Sequence, residues 1–369
     1  MIEIIFILFL IAASVQTIYW LFFAVSILSH KLDRGVNAQN ASAISIIICA
    51  YNDLENLKKL LPNLYQQEYS DYEIIVVNDK SNDGTYDFLL EESKVNPLLK
   101  MVDIDRTPDH INSKKYAITL GVKVAKYERL LFTDADCIPA SDQWVKSMAD
   151  SFEDKTHFAL GYSQFKSEPG FVNTFSRYET QMTGMLYNSF AIAGNPYMGV
   201  GRNMAYNKSV FFENNGFNQF QKILGGDDDL FVNQYANGAN TEVCLGKDAL
   251  VWSYSKKTIP DYFKQKLRHI SVSKYYNTKD KLLLGLYSLS HLLFWFAFII
   301  LAVANYFPEF VFGVLAIRLI LNGLIVNSIS KKFGERIVIW SLPIIDFVYS
   351  VYLLIMGFAT LSTKKVTWS

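Results

Sequence analysis

The sequence predicts an α/β domain on an open, Rossmann-like mixed or parallel sheet, set between one N-terminal and about three C-terminal membrane helices. Three observations predict it. The composition is mixed: 51% of the 369 residues are hydrophobic and 19% charged, too apolar for an ordinary soluble protein and too polar for a pure membrane bundle. Long apolar runs lie at the two ends of the chain. Between them, short β-branched runs alternate with stretches of helical spacing.

From the N-terminus, Ile2 to Leu28 is long enough to cross a bilayer and carries only Glu3 as a charge. No basic residue precedes the run, and Ala41-Ser42-Ala43 lies well past its end, so residues 1–30 read as an anchor rather than a cleaved leader. Lys31 and Arg34 follow at once and place the next segment in the cytoplasm. Residues 31–255 form the soluble domain. Ile44 to Ile48, Glu73 to Val77 and Leu130 to Phe132 read as buried parallel strands. Leu54 to Gln67, Asp83 to Val95 and Ser113 to Lys126 read as helices. Residues 256–281, rich in Lys with Tyr262, Phe263, Tyr275 and Tyr276 interleaved, read as an amphipathic helix on the membrane surface. Residues 282–369 hold the runs Leu282 to Phe307, Phe310 to Ile329 and Ile337 to Leu361. The basic turn Lys331 to Arg336 favours the cytoplasm, so the first two runs form a hairpin through Asn305 to Glu309. The last run contains Pro343 and Asp346, and Lys364-Lys365 follows it. A simple crossing would put those lysines outside, which leaves a bent, re-entrant or interfacial segment as the alternative.

Lys plus Arg and Asp plus Glu balance at 35 each, so charge points to no nucleic acid or other polyanion. Cys49, Cys137 and Cys244 lack metal-ligand spacing and suit reduced thiols in a cytosolic domain. His110, His157 and His291 show no ligand spacing either. The polar clusters fall where an open α/β sheet binds its ligands, at the carboxyl ends of the strands. Ala50-Tyr51-Asn52-Asp53 follows the first strand, Asn78 to Thr85 with Asp79 and Asp83 the second, and Thr133-Asp134-Ala135-Asp136-Cys137 the third. Three acidic strand ends in one mouth repel one another unless a cation sits between them. Hard oxygen ligands suit Mg²⁺ or Mn²⁺ bridging a diphosphate. Asp134 and Asp136 project to one side of an extended segment, so one can meet the metal and the other the ribose or sugar. Taken alone, Asn82-Asp83-Gly84-Thr85 is equally a turn into a capped helix.

In this order the residues resemble glycosyltransferase family 2, inverting enzymes with a GT-A fold, over most of residues 44 to 280. Ala50-Tyr51-Asn52-Asp53 resembles the family's opening nucleotide-binding segment, and Asp79 to Thr85 its Asp-x-Ser-x-Asp-Gly-Thr. Lys114 with Ala117, Ile118 and Gly121 is similar to the family's Lys-x-x-Ala-Leu-x-x-Gly stretch beside the diphosphate, and Asp134-Ala135-Asp136 to its Asp-x-Asp metal site. Gly199 to Asn203 resembles the loop before the acceptor helix, which places Arg202 and Asn203 on the acceptor side. Asp227-Asp228-Asp229-Leu230 matches the position of the catalytic base; aligning Leu230 favours Asp227, with Asp228 second. Gln265-Lys266-Leu267-Arg268-His269 resembles the Gln-x-x-Arg-Trp motif of cellulose, hyaluronan and poly-N-acetylglucosamine synthases, with His269 in place of Trp. That departure and the short C-terminal membrane portion point to a non-processive enzyme.

The resemblance implies a membrane-bound transferase, with its catalytic domain cytoplasmic, that moves a hexosyl group from a nucleotide sugar, a UDP-sugar first, to a glycan or lipid-linked acceptor in cell-envelope synthesis. Ala50, Tyr51, Asp53, Asp79, Asp83, Lys114 and Asp134 would bind the donor, and Asp134 and Asp136 a divalent metal. Asp227 would take the acceptor proton, and Arg268, with Gln265 one turn earlier, would face the leaving diphosphate. Two rivals stay open here: a transferase to a polyprenyl phosphate, which needs no base, and a non-catalytic membrane scaffold with an inherited fold.

Overall fold

A computed structural model describes residues 1–31, 42–153, 155–335, 337 and 339–362. Arg34, Ala41, Arg336, Lys364 and Lys365, which carry part of the topology expectation, lie outside the described residues.

The chain opens with one long apolar helix, α1 (Ile2–Ser29). Three βα units follow: β1 (Ile44–Ala50) with α2 (Leu54–Tyr65), β2 (Tyr72–Asp79) with α3 (Thr85–Val95), and β3 (Leu99–Ile104) with α4 (Ser113–Val124). Next come β4 (Arg129–Phe132), β5 (Ile138–Pro139), α5 (Trp144–Asp150), β6 (Phe158–Gly161), β7 (Ser163–Phe165) and the 22-residue α6 (Phe171–Ile192). The domain closes with β8 (Met204–Asn207), α7 (Lys208–Glu213), α8 (Asp229–Tyr235), β9 (Thr241–Cys244) and β10 (Val251–Ser253). The membrane-proximal end holds α9 (Ile259–Ile270), α10 (Thr278–Val303), α11 (Pro308–Phe333) and α12 (Leu342–Ser362).

Seven strands form one sheet in the order β3-β2-β1-β4-β8-β6-β9, and β5-β10-β7 form a small second one. β3, β2, β1 and β4 run parallel, whereas β8 runs antiparallel to both β4 and β6. Alternation along β1 feeds two cores: Ile44, Ile46 and Ile48 join Leu57, Leu61 and Trp144 on one face, while Ile47 joins Val122, Met182 and Tyr206 on the other. Gly121 of α4 lets that helix lie flat on the sheet, since a Cβ there would meet Ile47 Cγ2 at 2.7 Å and Val77 Cγ2 at 3.3 Å.

Among the described residues four helices, α1, α10, α11 and α12, are long and apolar enough to cross a membrane. The last departs from the bent segment weighed above. A short 3₁₀ turn (Ile339–Ser341) leads into α12, which runs unbroken from Leu342. Pro343 sits in its first turn, where the missing N–H costs no hydrogen bond. Asp346 is no isolated charge. Its Oδ2 lies 2.6 Å from Arg318 Nη1 and accepts from Trp295 Nε1 at 2.9 Å, while Tyr178 of α6 donates to Oδ1 at 3.1 Å. Within 256–281, helix α9 occupies only Ile259–Ile270; a 3₁₀ turn (Ser273–Tyr275) follows, and Thr278 already opens α10. On its inner face Lys266 pairs with Glu179 of α6, and Tyr262 packs between Phe175 and Tyr352 of α12.

Candidate active site

The mouth forms where four chain reversals converge. At the carboxyl ends of β1 and β2 the chain turns through left-handed residues, Asn52 (φ 54°) and Lys80 (φ 60°). Non-glycine residues are uncommon in that region and cluster at functional sites. The two turns are laced together: Asn52 N donates to Ser81 Oγ at 2.9 Å, and Asn82 N donates to Asn52 Oδ1 at 2.8 Å. Asp83 accepts from Leu54 N at 3.1 Å through one oxygen and from Thr85 through the other. Both oxygens tie the loops together, and the exposed Asp83 braces the mouth. Asp53 likewise accepts from Tyr51 N at 3.1 Å and Asn56 Nδ2 at 2.8 Å. Ala50 ends β1 buried, and the Tyr51 ring stands 58% exposed at the rim, free to cover a flat ring. Asp79 holds Ser113 and Lys80 across the neighbouring edge.

The antiparallel run of β8 brings its start beside the end of β4, with Phe132 opposite Met204. That pairing places the Gly199 to Asn203 loop next to Asp134. Lys114, in the first turn of α4, sits between two carboxylates: its Nζ is 3.1 Å from Asp134 Oδ1 and 3.3 Å from Asp227 Oδ2. These three line a narrow cavity with Cys49, Gly201 and Tyr206. Burial works against the Lys114 ammonium, but Asp134, Asp227 and Asp228 push its pKa well above the ordinary value. Burial also opposes ionisation of Asp134, yet Lys114, helped by Arg202 and Arg268, holds that carboxyl below the usual range. Asp136 has no ion pair among the described residues. Lost hydration in the crowded cleft and the charge of Asp134 push its carboxyl upward.

That uncompensated charge is what a cation would neutralise. One ligand atom from each of Asp134, Asp136 and Cys137 lies within 4.8 Å of the others. Burial and the two aspartates push the Cys137 thiol well above its normal range, and it points to Asp136 Oδ1 at 3.5 Å. Sulfur is a soft donor, so the hard ligands here are the two carboxylates, and they fit Mg²⁺ or Mn²⁺.

The acidic triplet is sorted by its partners. Gly225 and Gly226, both at φ 79°, turn the chain into it. Asp228 spends both oxygens, accepting from Gly201 N at 2.7 Å and capping α8 through Asp229 N at 2.8 Å. Asp229 accepts from Leu230 N and, at 2.8 Å, from the Tyr276 hydroxyl. Burial first, then the adjacent aspartates, raise the pKa of both. Asp227 alone faces the cavity.

Two residues require a different account from the sequence reading. Asn203 is a correction: its side chain is 0% exposed, with Oδ1 accepting from Trp144 Nε1 at 2.9 Å and Nδ2 donating to the carbonyls of Tyr162 and Ala249 at 2.7 Å. No atom remains for an acceptor, and Asn203 instead fastens the loop that presents Arg202. Arg202 itself lies with its guanidinium 5.0 Å over the Phe165 ring, close enough to act on Asp134 and Asp136. The second is Lys115, which the motifs did not single out. It is fully buried, and its ammonium donates to the carbonyls of Phe220, Ile223 and Gly225 at 2.6–2.8 Å, clamping the segment that delivers Asp227. The adjacent lysine pair was the only signal. On α9, Arg268 reaches His269 Nε2 at 3.3 Å and its charge is felt at Asp134, while Gln265 Oε1 is buried with no hydrogen-bond partner among the described residues.

Comparison with known proteins agrees with this geometry. The sequence profile described as "Glycosyl transferase family 2" matches residues 45–213, and that described as "Glycosyl transferase family group 2" matches residues 131–360. The second spans more than half of the chain, and the protein belongs to glycosyltransferase family 2. A poly-β-1,6-N-acetyl-D-glucosamine synthase of Staphylococcus epidermidis is 25% identical over 256 residues, 69% of this chain and 60% of the synthase. The match therefore spans about 60% of that relative's length. An uncharacterized glycosyltransferase of Haemophilus influenzae is 33% identical over 124 residues, 33% of this chain and 37% of the other. Among solved structures, a mannosyltransferase of Pyrobaculum calidifontis in complex with GDP-Man and Mn²⁺ superposes with a TM-score of 0.64, covering 99% of this chain and 100% of that one at 17% identity. The fold is a GT-A sheet with one N-terminal and three C-terminal long apolar helices.

Proposed function

We propose that the protein is a membrane-embedded, inverting glycosyltransferase that moves a hexosyl group from a UDP-sugar to a hydroxyl of a glycan or lipid-linked acceptor in cell-envelope polysaccharide or glycolipid synthesis. The observation that carries this reading is the sorting of the triplet: Asp227 is the one member left facing the Lys114–Asp134 cavity. Tyr51 covers the base, with Asp53 and Asp79 at the ribose edge of the same rim. Asp134 and Asp136 would hold a divalent cation, which would neutralise charge on the diphosphate. Lys114, Arg268 and Gln265 orient and stabilise the leaving phosphate oxygens. Asp227 removes the proton from the attacking hydroxyl as the new bond forms at the anomeric carbon, and such a positioned base contributes about 10²–10⁴-fold. An acceptor that is itself a phosphate arrives ionised and gives Asp227 nothing to do.

The active site faces the cytoplasm in this reading, since Lys31 and the reduced cysteines Cys49, Cys137 and Cys244 stand on that side. The test is a panel of nucleotide sugars offered with Mn²⁺ to the full chain in nanodiscs. A UDP-sugar should release UDP and yield a product inverted at the anomeric carbon. No nucleotide binding and no turnover with any donor would leave the scaffold reading standing; a glycosyl-phosphate lipid product would replace the hydroxyl acceptor. A cysteine introduced at Asn207 should resist an impermeant thiol reagent on intact cells.

A further inference from the structure

The helix that begins with the acidic triplet is short, and its orientation must come from outside itself. α8 has seven residues, too few for a helix to hold its own shape. Four hydrogen bonds fasten it to one place, the residues that open the first C-terminal span. The Tyr276 hydroxyl donates to Asp229 Oδ2 at 2.8 Å. Asn277 donates from its backbone to Asn233 Oδ1 and from its side chain to the Asn233 carbonyl, each at 3.0 Å. Asn233 Nδ2 donates to Asp280 Oδ2 at 2.9 Å, and Asn195 Nδ2 to Asp280 Oδ1 at 2.8 Å. Asp229, Asn233, Tyr276 and Asp280 are all buried. Asp280 has no ion pair among the described residues, only these two amides. A buried carboxylate held this way is costly to keep and cheap to replace by apolar packing, which argues that its geometry is what is needed.

We infer that the head of α10, through Tyr276, Asn277 and Asp280, is the positioning element for the catalytic base, so that a membrane helix sets where Asp227 meets the acceptor hydroxyl. The inference rests on the reading of Asp227 as that base. Lys115 fixes the chain on the entering side of the triplet and the α10 head fixes it on the leaving side, with Asp227 between the two clamps. A base displaced by about 1 Å loses up to about 10²-fold in rate while nucleotide binding, built on β1, β2 and β4, is untouched.

The experiment uses the full chain in nanodiscs, with Tyr276→Phe and Asp280→Asn, each alone and combined with Asp227→Asn. Expected for both single variants is a fall in kcat of about 10-fold, with the affinity for Mn²⁺·UDP within about twofold of the parent. In the Asp227→Asn background neither should cost anything further, because residues that act through one group are not additive. Parental kcat in both variants, or a drop of equal size with and without Asp227, overturns the inference. A silent Asp227→Asn instead removes the base assignment, and the inference falls with it; that result is distinct from a silent Tyr276→Phe beside an inactive Asp227→Asn. Should Tyr276→Phe fail to fold, the isosteric Asp280→Asn carries the same test.

Discussion

Two clusters of ionisable side chains in this chain are built on opposite plans. In the membrane bundle Arg318 and Asp346 close on each other at 2.6 Å, Trp295 and Tyr178 occupy the remaining acceptor positions, and the guanidinium lies 4.4 Å over Phe294. Charge balances there. At the sheet's mouth Asp134, Asp227 and Asp228 crowd around Lys114, with Arg202 and Arg268 acting from further off, and Asp136 is left without an ion pair among the described residues. Satisfied charge makes structure; the unsatisfied charge is where a ligand belongs.

The largest effect that would break this contrast is at Asp136. Asp136→Ala removes a metal donor without relieving any ion pair, and metal-dependent transfer should fall by roughly 10³-fold or more. Activity near the parent's at saturating Mn²⁺ would take Asp136 out of the metal site. Next is the base: Asp227→Asn should lower kcat by about 10²–10⁴-fold with donor affinity retained. Asp228→Asn should instead cost about 1 kcal/mol in melting experiments through the α8 cap, with a milder loss of rate. The reverse ranking would mean that Asp228 is the base.

In the bundle, Arg318→Met strands a buried carboxylate and should destabilise the protein by about 3–5 kcal/mol, while Arg318→Met with Asp346→Leu should recover most of it. Thermal unfolding in nanodiscs reads this directly, and turnover per folded molecule should hardly move. A collapse of turnover in the well-folded double variant would show that the bundle's charges do chemistry after all. Smallest is Tyr51→Ala, which should raise the donor KM about 10-fold through lost stacking, with kcat nearly unchanged.

What was legible in the sequence follows from how evenly each element is buried. β1, β2 and β4 have covered faces, so they read as continuous apolar runs, and α2 to α4 keep one wet face and a helical period. β3 is an edge strand with Lys100 and Asp103 exposed, and it gave no such signal. α6 was hidden for another reason. Pressed between sheet and bundle, it buries Arg177, Glu179, Gln181 and Asn188 alongside Met182 and Phe190, so its polar residues do not mark a wet face. At the site, residue type and strand end were readable, but bonding was not. Asn203 is a polar residue in the expected place whose atoms are spent inward, and Lys115 differs from Lys114 only by the face of α4 it occupies. The pairing of Arg318 with Asp346 joins two helices, and no spacing along the sequence shows it.

The first helix has a practical consequence for anyone who handles the protein. Tyr19, Trp20, Phe23 and Ile27 belong to the same apolar core as Leu160, Phe190 and Tyr206 of the sheet domain, and Phe22 meets Phe190 at 5.1 Å. Gln16 is sealed against Tyr287 and Ser290 of α10, and Lys332 of α11 donates to the carbonyl of Leu28. Trimming α1 to obtain a water-soluble catalytic fragment would therefore uncover large aromatic side chains from the enzyme's own interior, and the fragment should aggregate rather than turn over. The line between anchor and enzyme drawn along the sequence is not a line along which the molecule comes apart.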